Sequence, residues 1–147
     1  MGNINKAAVI KMLMGDPNSP FWAILTADKA EGSPEDIGAD RAQLHLMLER
    51  KGFDYLLVDG YYDGHMEQSV FVIGMHSTDA ISVALMFGQE SWLTNAGLHY
   101  RGADGWFHRA EYVHRHVVDG ELTSTRYDRS VIHCEDGDLV FMCEVQA

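Results

Sequence analysis

Three histidines in one segment are the residues of this sequence best suited to holding a metal ion. Residues 106–118 are interpreted as a single strand, whose alternate side chains share a face. Imidazoles two residues apart on such a face can ligate one divalent metal, as a hydrolase would require. The set is His108, His114 and His116, and either His99 or His133 would complete it. The alternative is that they are surface or interface residues, because no carboxylate or cysteine lies at the spacing of a known site.

A second set consists of polar residues that fall at the ends of predicted strands and at one helix start. Its members are Thr26, Asp28, Ser33, Tyr61, Glu67, Ser69, Gln89, Glu90 and Ser91. A helix N-terminus favours an anion, whereas the three acids favour a cation or a hydrogen-bonding ligand. This set therefore predicts a ligand site. The alternative is that serine and glutamine cap turns while the acids are solvated.

Residues 67–93 are the segment whose local pattern is clearest. Residues 70–75 are a short apolar run typical of a buried strand. Ser77 is the predicted N-cap of a helix that Gly88 ends, and residues 89–93 begin the next strand.

The sequence pattern over residues 21–95 predicts a fold. Residues 21–27 are a strand, Ser33 caps a helix that reaches Lys51, and residues 55–61 are a second strand. The resulting order is strand, helix, strand, strand, helix, strand. This order predicts an α+β, ferredoxin-like split βαβ core with a four-stranded antiparallel sheet in the order 4-1-3-2. It also brings the second polar set to one edge of the sheet.

The two ends of the sequence flank this core. Residues 3–14 fit a short N-terminal helix, and residues 98–147 carry three Asp-Gly turn signals that predict a β-meander. We expect one domain over residues 1–147, because no linker or repeat divides it. Cys134 and Cys143 are predicted on adjacent strands of one hairpin as reduced thiols.

Composition limits the partners that we expect. The 22 acids and 11 bases give a formal charge of −11, which argues against direct nucleic-acid binding. No apolar run approaches the roughly 18 residues of a membrane span. The start lacks the apolar block of a secretion signal, so a cytoplasmic location is expected. No nucleotide-binding fingerprint is present, and we expect no cofactor other than a divalent metal at the histidines.

Several short motifs resemble a domain family of unknown function found in small bacterial and phage proteins. They are Ile24-Leu25-Thr26-Ala27, Ser33 with Glu35 and Arg41, Glu67-Gln68-Ser69, and Gly88-Gln89-Glu90-Ser91. The resemblance covers roughly residues 20–95 and implies a phage or bacterial accessory protein, in the host cytoplasm if phage-encoded. The family has Asn-Pro where this sequence has Asp28-Lys29, and an asparagine early in the helix is missing. If those asparagines have a function, this protein has lost it.

The leading hypothesis is a non-enzymatic accessory protein that binds a host protein or a small polar ligand. The binding surface would be the polar set at the sheet edge or the C-terminal β-ribbon. The same β-ribbon could also form the interface of a homodimer. A metal-dependent hydrolase that uses the strand histidines is the first alternative. The second is an inhibitor that mimics nucleic acid with closely spaced acids. Those acids are Asp28, Glu31, Glu35, Asp36 and Asp40.

Overall fold

The computed structural model describes residues 4–28, 33–120 and 128–146. The helices within these ranges are α1 (Lys6–Leu13), α2 (Pro34–Arg50) and α3 (Ser77–Met86). The strands are β1 (Trp22–Thr26), β2 (Asp54–Tyr62), β3 (His65–Ile73), β4 (Ser91–Thr94), β5 (Gly97–Arg101), β6 (Phe107–Ala110), β7 (Tyr112–Asp119), β8 (Arg129–Cys134) and β9 (Gly137–Val145).

The nine strands of the described ranges belong to one antiparallel sheet. Their order is β6-β5-β4-β1-β3-β2-β8-β9-β7. In the middle of the sheet, Thr26 of β1 pairs with Ser69 of β3, and Gly60 of β2 pairs with Glu67 of β3. Further along, Val58 of β2 pairs with Ile132 of β8.

The sheet curls until its two ends meet. β6 and β7 are the outermost strands, yet Glu111 alone separates them in the chain. The Gln146 amide also donates a 2.8 Å hydrogen bond to the Glu111 carbonyl. The result is a nearly closed, barrel-like sheet.

The predicted ferredoxin-like fold class is therefore wrong. β4, β1, β3 and β2 are neighbours, but they form less than half of a sheet that continues on both sides. The predicted C-terminal meander does not form one extension either. β5 and β6 join the edge at β4, whereas β8, β9 and β7 join the edge at β2. The physical reason is that the inner face of the central strands is apolar and must be covered, which curling of the sheet achieves.

β1 shows this two-sided burial directly, because all five of its residues are buried. Trp22 and Ile24 belong to an inner core that includes Phe71 of β3 and Phe141 of β9. Alternate residues of β1 face outward into a second core, which α2 and α3 cover with Leu44, Leu48, Ala80 and Val83. A continuous apolar run is the sequence pattern of a strand that is buried on both faces.

α1 packs against the inner core with Val9, Met12 and Leu13. Its Met12 carbonyl accepts a 2.9 Å hydrogen bond from the indole of Trp22. The predicted helix over residues 3–14 is thus present, with Asn5 as its N-cap. In the part of the chain that the structure describes, no helix is long and apolar enough to cross a membrane.

The predicted ends of α2 and α3 are confirmed in part. Ser33 caps α2 as predicted and accepts a hydrogen bond from Asp36, and Pro34 is its first residue. Gly88 follows α3 with a φ of 65°, as a terminating glycine should. The predicted cap Ser77 is wrong, because His76 is the N-cap and Ser77 is the first helical residue.

Two strand predictions also need correction. Residues 106–118 do not form one strand, because β6 ends at Ala110 and β7 begins at Tyr112. β3 begins at His65 rather than at residue 70, so its polar half is also strand. Residues 121–127, which belong to the predicted β-meander, lie outside the described residues.

Candidate functional site

The curled sheet encloses a cavity of about 450 Å³ on its inner side. Its wall is apolar in one part and polar in another. The apolar side chains that line it include Ile24, Leu93, Leu98, Phe141 and Val145. The polar residues are Thr26, Tyr62, Glu67, Ser69, Ser91, Asp128, Arg129, Ser130 and Cys143. Ser91 and Asp128 are exposed, so the cavity reaches the protein surface beside these two residues.

Strand register explains why these polar side chains meet. Thr26 lies two residues after the inward-facing Ile24, and its partner Ser69 lies two residues before the inward-facing Phe71. Glu67 is one further inward position along β3, since alternate residues of a strand share a face. Its partner in β2 is Gly60, which has no side chain of its own and leaves room for the Tyr62 ring.

Thr26 and Ser69 differ in how their hydroxyls are satisfied. The Thr26 hydroxyl donates to the Gln68 carbonyl at 2.7 Å and accepts from the Asp28 amide at 3.0 Å. Ser69 is only 2% exposed. Its hydroxyl makes no hydrogen bond with any described residue. Because Ser69 lines the cavity, its hydroxyl offers a ligand an unused donor and acceptor.

Glu67 is the acidic group of this polar end. Its burial, and then the nearby charge of Asp28, raise the pKa of the Glu67 carboxyl. Within the described ranges, its carboxylate forms no hydrogen bond or ion pair. Asp28, in contrast, is neutralised by Arg41, with 2.7 and 2.6 Å between the paired atoms. Glu67 is therefore a partly desolvated carboxylate whose hydrogen-bonding capacity remains open to a ligand.

Tyr62 and Ser130 form another part of the polar wall. Their hydroxyls are joined by a short hydrogen bond between β2 and β8. Burial raises the pKa of Tyr62 to about 12, so the phenol is neutral at physiological pH. The ring lies against Gly60, where a Cβ atom would lie 2.5 Å from Tyr62 Cε2. Gly60 is thus needed for the tyrosine to reach the cavity wall.

The nine residues predicted as a ligand site divide into three groups. Thr26, Glu67, Ser69 and Ser91 line the cavity. Asp28 and Gln89 lie beside it and support the chain after β1, and the Gln89 side-chain amide donates to the Asp28 carbonyl at 3.5 Å.

The other three predicted residues lie elsewhere. They are Ser33, which caps α2; Tyr61, whose ring packs under Arg129 on the outer side of the sheet; and Glu90, which is exposed beside Arg101. The sequence interpretation missed Tyr62, Ser130, Phe141 and Cys143. The alternation of side chains along each strand shows which of these residues share a face, but it does not show which face of the sheet lines the cavity.

The histidines predicted as metal ligands are not brought together. His108 on β6 is bound to Asp104 at 2.9 Å and stacks on Tyr100. His114 and His116 lie on β7, with ring centroids 6.2 Å apart. No group of three or more potential ligands suited to a metal occurs in the described parts of the chain.

The two histidines proposed to complete the set have other partners. His99 is buried and its ring nitrogen lies 2.9 Å from the Thr94 hydroxyl. His133 bridges Asp138 at 2.8 Å and Asp59 at 2.9 Å on the outer side of the sheet. Both histidines therefore make contacts that explain their positions without a metal ion.

The cysteines lie on adjacent strands, as predicted, and both are free thiols. Cys143 lines the cavity, whereas Cys134 belongs to the inner core. Burial is the main reason why the pKa of each thiol rises to about 11. Neither thiol is a thiolate nucleophile at neutral pH.

Comparison with protein-family models and with curated proteins adds no relative to this picture. The sequence matches no protein-family model and no curated protein. The family resemblance of residues 20–95 therefore stays a prediction.

Proposed function

We propose that this protein binds a small organic molecule in the cavity inside its curled sheet. The observation that carries the proposal is a cavity of about 450 Å³ whose wall combines apolar side chains with unused polar groups. Ligand sites in proteins are concave, mostly apolar and equipped with a few polar groups that orient the ligand, with volumes of roughly 300–1,000 Å³.

Packing considerations support a binding role over an accidental hollow. Protein interiors are close-packed, and voids much larger than a water molecule are few. The cavity wall also contains Glu67 and Ser69, whose side-chain polar atoms make no hydrogen bond with the described residues. Partial burial of a carboxylate costs free energy, and a ligand that supplies hydrogen-bond donors would offset this cost.

Binding is favoured over catalysis by the chemistry of the same wall. The candidate nucleophiles of the wall, Cys143 and Tyr62, have raised pKa values and are neutral near pH 7. Neither makes an activating contact with a histidine among the described residues. The predicted non-enzymatic role therefore remains our interpretation.

Other predicted partners gain no support of this kind. A host protein, a homodimer through the C-terminal strands and a phage or bacterial origin stay predictions. One of the acids of the nucleic-acid-mimic hypothesis does not present a free charge at the surface, because the Asp28 side chain is 9% exposed and paired with Arg41. Glu31, another of them, lies outside the described residues.

Binding of N-phenyl-1-naphthylamine, a neutral fluorescent probe of apolar cavities, tests the proposal. We expect a saturable increase in probe fluorescence with the unmodified protein. Ser91→Trp places a large side chain at the exposed end of the cavity and should weaken binding at least tenfold. Ser82→Trp adds the same side chain to the exposed surface of α3 and should leave binding unchanged.

Two results would contradict the proposal. One is an absence of saturable probe binding to the unmodified protein. The other is equal binding by the unmodified protein and the Ser91→Trp variant, since the probe would then occupy another surface. Thermal denaturation of both tryptophan variants checks that they are folded.

A further inference from the structure

Two of the three charged residues that the described chain contributes to the cavity wall are acidic. Glu67 and Asp128 are the acidic residues of the wall, and the only basic residue among the described lining residues is Arg129. The guanidinium of Arg129 lies over the Tyr61 ring, 4.2 Å from its centroid. Tyr61 and Arg129 are register partners, so the two side chains share the face of the sheet opposite to that of Tyr62 and Ser130. The polar end of the cavity is thus acidic.

The hydrogen-bonding groups at this end are mainly acceptors. The Glu67 carboxylate is an acceptor when ionised, and the Ser69 hydroxyl has free lone pairs. The Thr26 hydroxyl already uses its proton for the Gln68 carbonyl. A ligand that satisfies this end must therefore supply donors, and an ammonium group has up to three N–H bonds to give.

We propose that the ligand is an organic cation, a primary or secondary amine with an apolar body, whose ammonium binds Glu67 and Ser69. The apolar body would pack against Ile24, Leu98 and Phe141 in the apolar part of the cavity wall. This inference rests on the proposed binding function and names the class of molecule that is bound.

Two other classes of ligand fit less well. An anion would meet the field of Glu67 and Asp128 with no described guanidinium or ammonium turned toward it. A bare metal ion such as Ca²⁺ requires six to eight oxygen ligands, usually with several carboxylates among them. The described residues contain no group of three or more histidine, cysteine, aspartate or glutamate side chains that could hold a metal ion. An ammonium requires one carboxylate and a few hydroxyl acceptors, which this wall provides.

The pH dependence of binding follows from the same geometry. Burial and the charge of Asp28 raise the pKa of Glu67, and a bound ammonium would lower it again by stabilising the carboxylate. Protonation of Glu67 removes that attraction. Amine affinity should therefore fall as the pH falls through the pKa of Glu67 in the ligand-free protein.

A displacement series with one carbon skeleton tests the inference. The bound probe N-phenyl-1-naphthylamine is displaced by 4-phenylbutylamine, 4-phenylbutan-1-ol or 4-phenylbutyrate at pH 7. We expect the amine to displace the probe at a concentration at least about tenfold lower than the carboxylate, with the alcohol between them.

Single substitutions then test which charge is responsible for the preference for the amine. Glu67→Gln should weaken the amine about tenfold, change the alcohol less than twofold and strengthen the carboxylate. Ser69→Ala should weaken the amine severalfold. Glu144→Gln makes the same charge change on the outer side of β9 and should alter none of the three. Because Glu67→Gln is nearly isosteric, retained probe binding confirms that the cavity is intact.

The outcomes separate this inference from the binding function. If the probe binds but the carboxylate competes as well as the amine, the amine assignment is wrong and the cavity still binds ligands. The same conclusion follows if Glu67→Gln leaves the amine unchanged. If the probe does not bind at all, the proposed function and the amine assignment both fail.

Discussion

Arg41 holds Asp28 by two parallel hydrogen bonds, 2.7 Å from Nε to Oδ1 and 2.6 Å from Nη2 to Oδ2. The same carboxylate accepts a 2.9 Å hydrogen bond from the Gln68 amide of β3. One side chain thus connects the end of β1 to α2 and to β3, beside the acidic end of the cavity. The guanidinium also compensates a negative charge that would otherwise add to that of Glu67.

Removal of this guanidinium should destabilise the protein. Arg41→Ala leaves the Asp28 carboxylate, 9% exposed, with a single described hydrogen-bond donor. Because Arg41 itself is 34% exposed, we expect a loss of about 1–2 kcal/mol, less than for a fully buried pair. Urea denaturation measures this. Arg50→Ala, an exposed change in the last turn of α2, should cost under about 0.5 kcal/mol. Equal losses for the two variants would contradict a special role for Asp28.

Glu67→Gln should raise stability at neutral pH. The pKa of Glu67 is raised by burial and by Asp28, so the ionised carboxyl is less favourable in the folded than in the unfolded protein. This penalty is present above the folded pKa and absent below the unfolded pKa. We expect Tm to rise by about 2 °C at pH 7.5, roughly 0.5 kcal/mol for a chain of this size, with the gain vanishing near pH 4. A variant that is less stable than the parent at pH 7.5 would show that Glu67 has a stabilising partner.

His133 should stabilise the fold more in acid than in base. Burial alone would lower its pKa, but the hydrogen bonds to Asp138 and Asp59 and their charges raise it overall. A raised folded pKa means that the contribution is complete below the unfolded pKa and is lost as the pH rises through the folded pKa. His133→Gln should therefore lower Tm more at pH 6 than at pH 9. His65→Gln, an exposed change, should show no such difference, and a pH-independent loss for His133→Gln would overturn the assignment.

Phe141→Ala should be among the most destabilising single substitutions. Phe141 is 1% exposed and packs edge-on against Trp22 and Tyr112, at centroid distances of 6.0 and 6.3 Å. Truncation of a buried phenylalanine typically costs about 3–5 kcal/mol. Phe21→Ala removes a ring that is 51% exposed and should cost under about 1 kcal/mol. The free energies of unfolding from denaturant titration provide the comparison, and a loss under 1 kcal/mol for Phe141→Ala would contradict the inner core.

The features that short segments determine could be predicted from the sequence. Ser33 and Gly88 mark helix boundaries through their own hydrogen bonding and φ, which requires no distant residue. The meeting of Thr26, Glu67 and Ser69 also followed from antiparallel strand direction alone. These residues belong to adjacent strands of the central sheet, where register leaves few alternatives.

The closure of the sheet could not be predicted in this way. The alternating pattern runs unbroken from His108 through Tyr112, although the chain passes from one end of the sheet to the other at Glu111. Local periodicity reports which residues share a face, and it does not report which strand lies beside them. Ser130 and Phe141 were missed for this reason, since they reach the cavity only because β8 and β9 join the edge at β2.

The pairing of Val58 in β2 with Ile132 in β8 has a consequence for synthesis of the chain. A ribosome that has produced β1 to β6 has already released β2, but the strand that covers its second edge has not yet been made. Until β8 emerges, a nascent chain exposes a strand edge beside the apolar inner face, and such surfaces associate with other chains. We therefore expect incomplete chains to depend on chaperones, while the finished protein hides this edge within its own sheet.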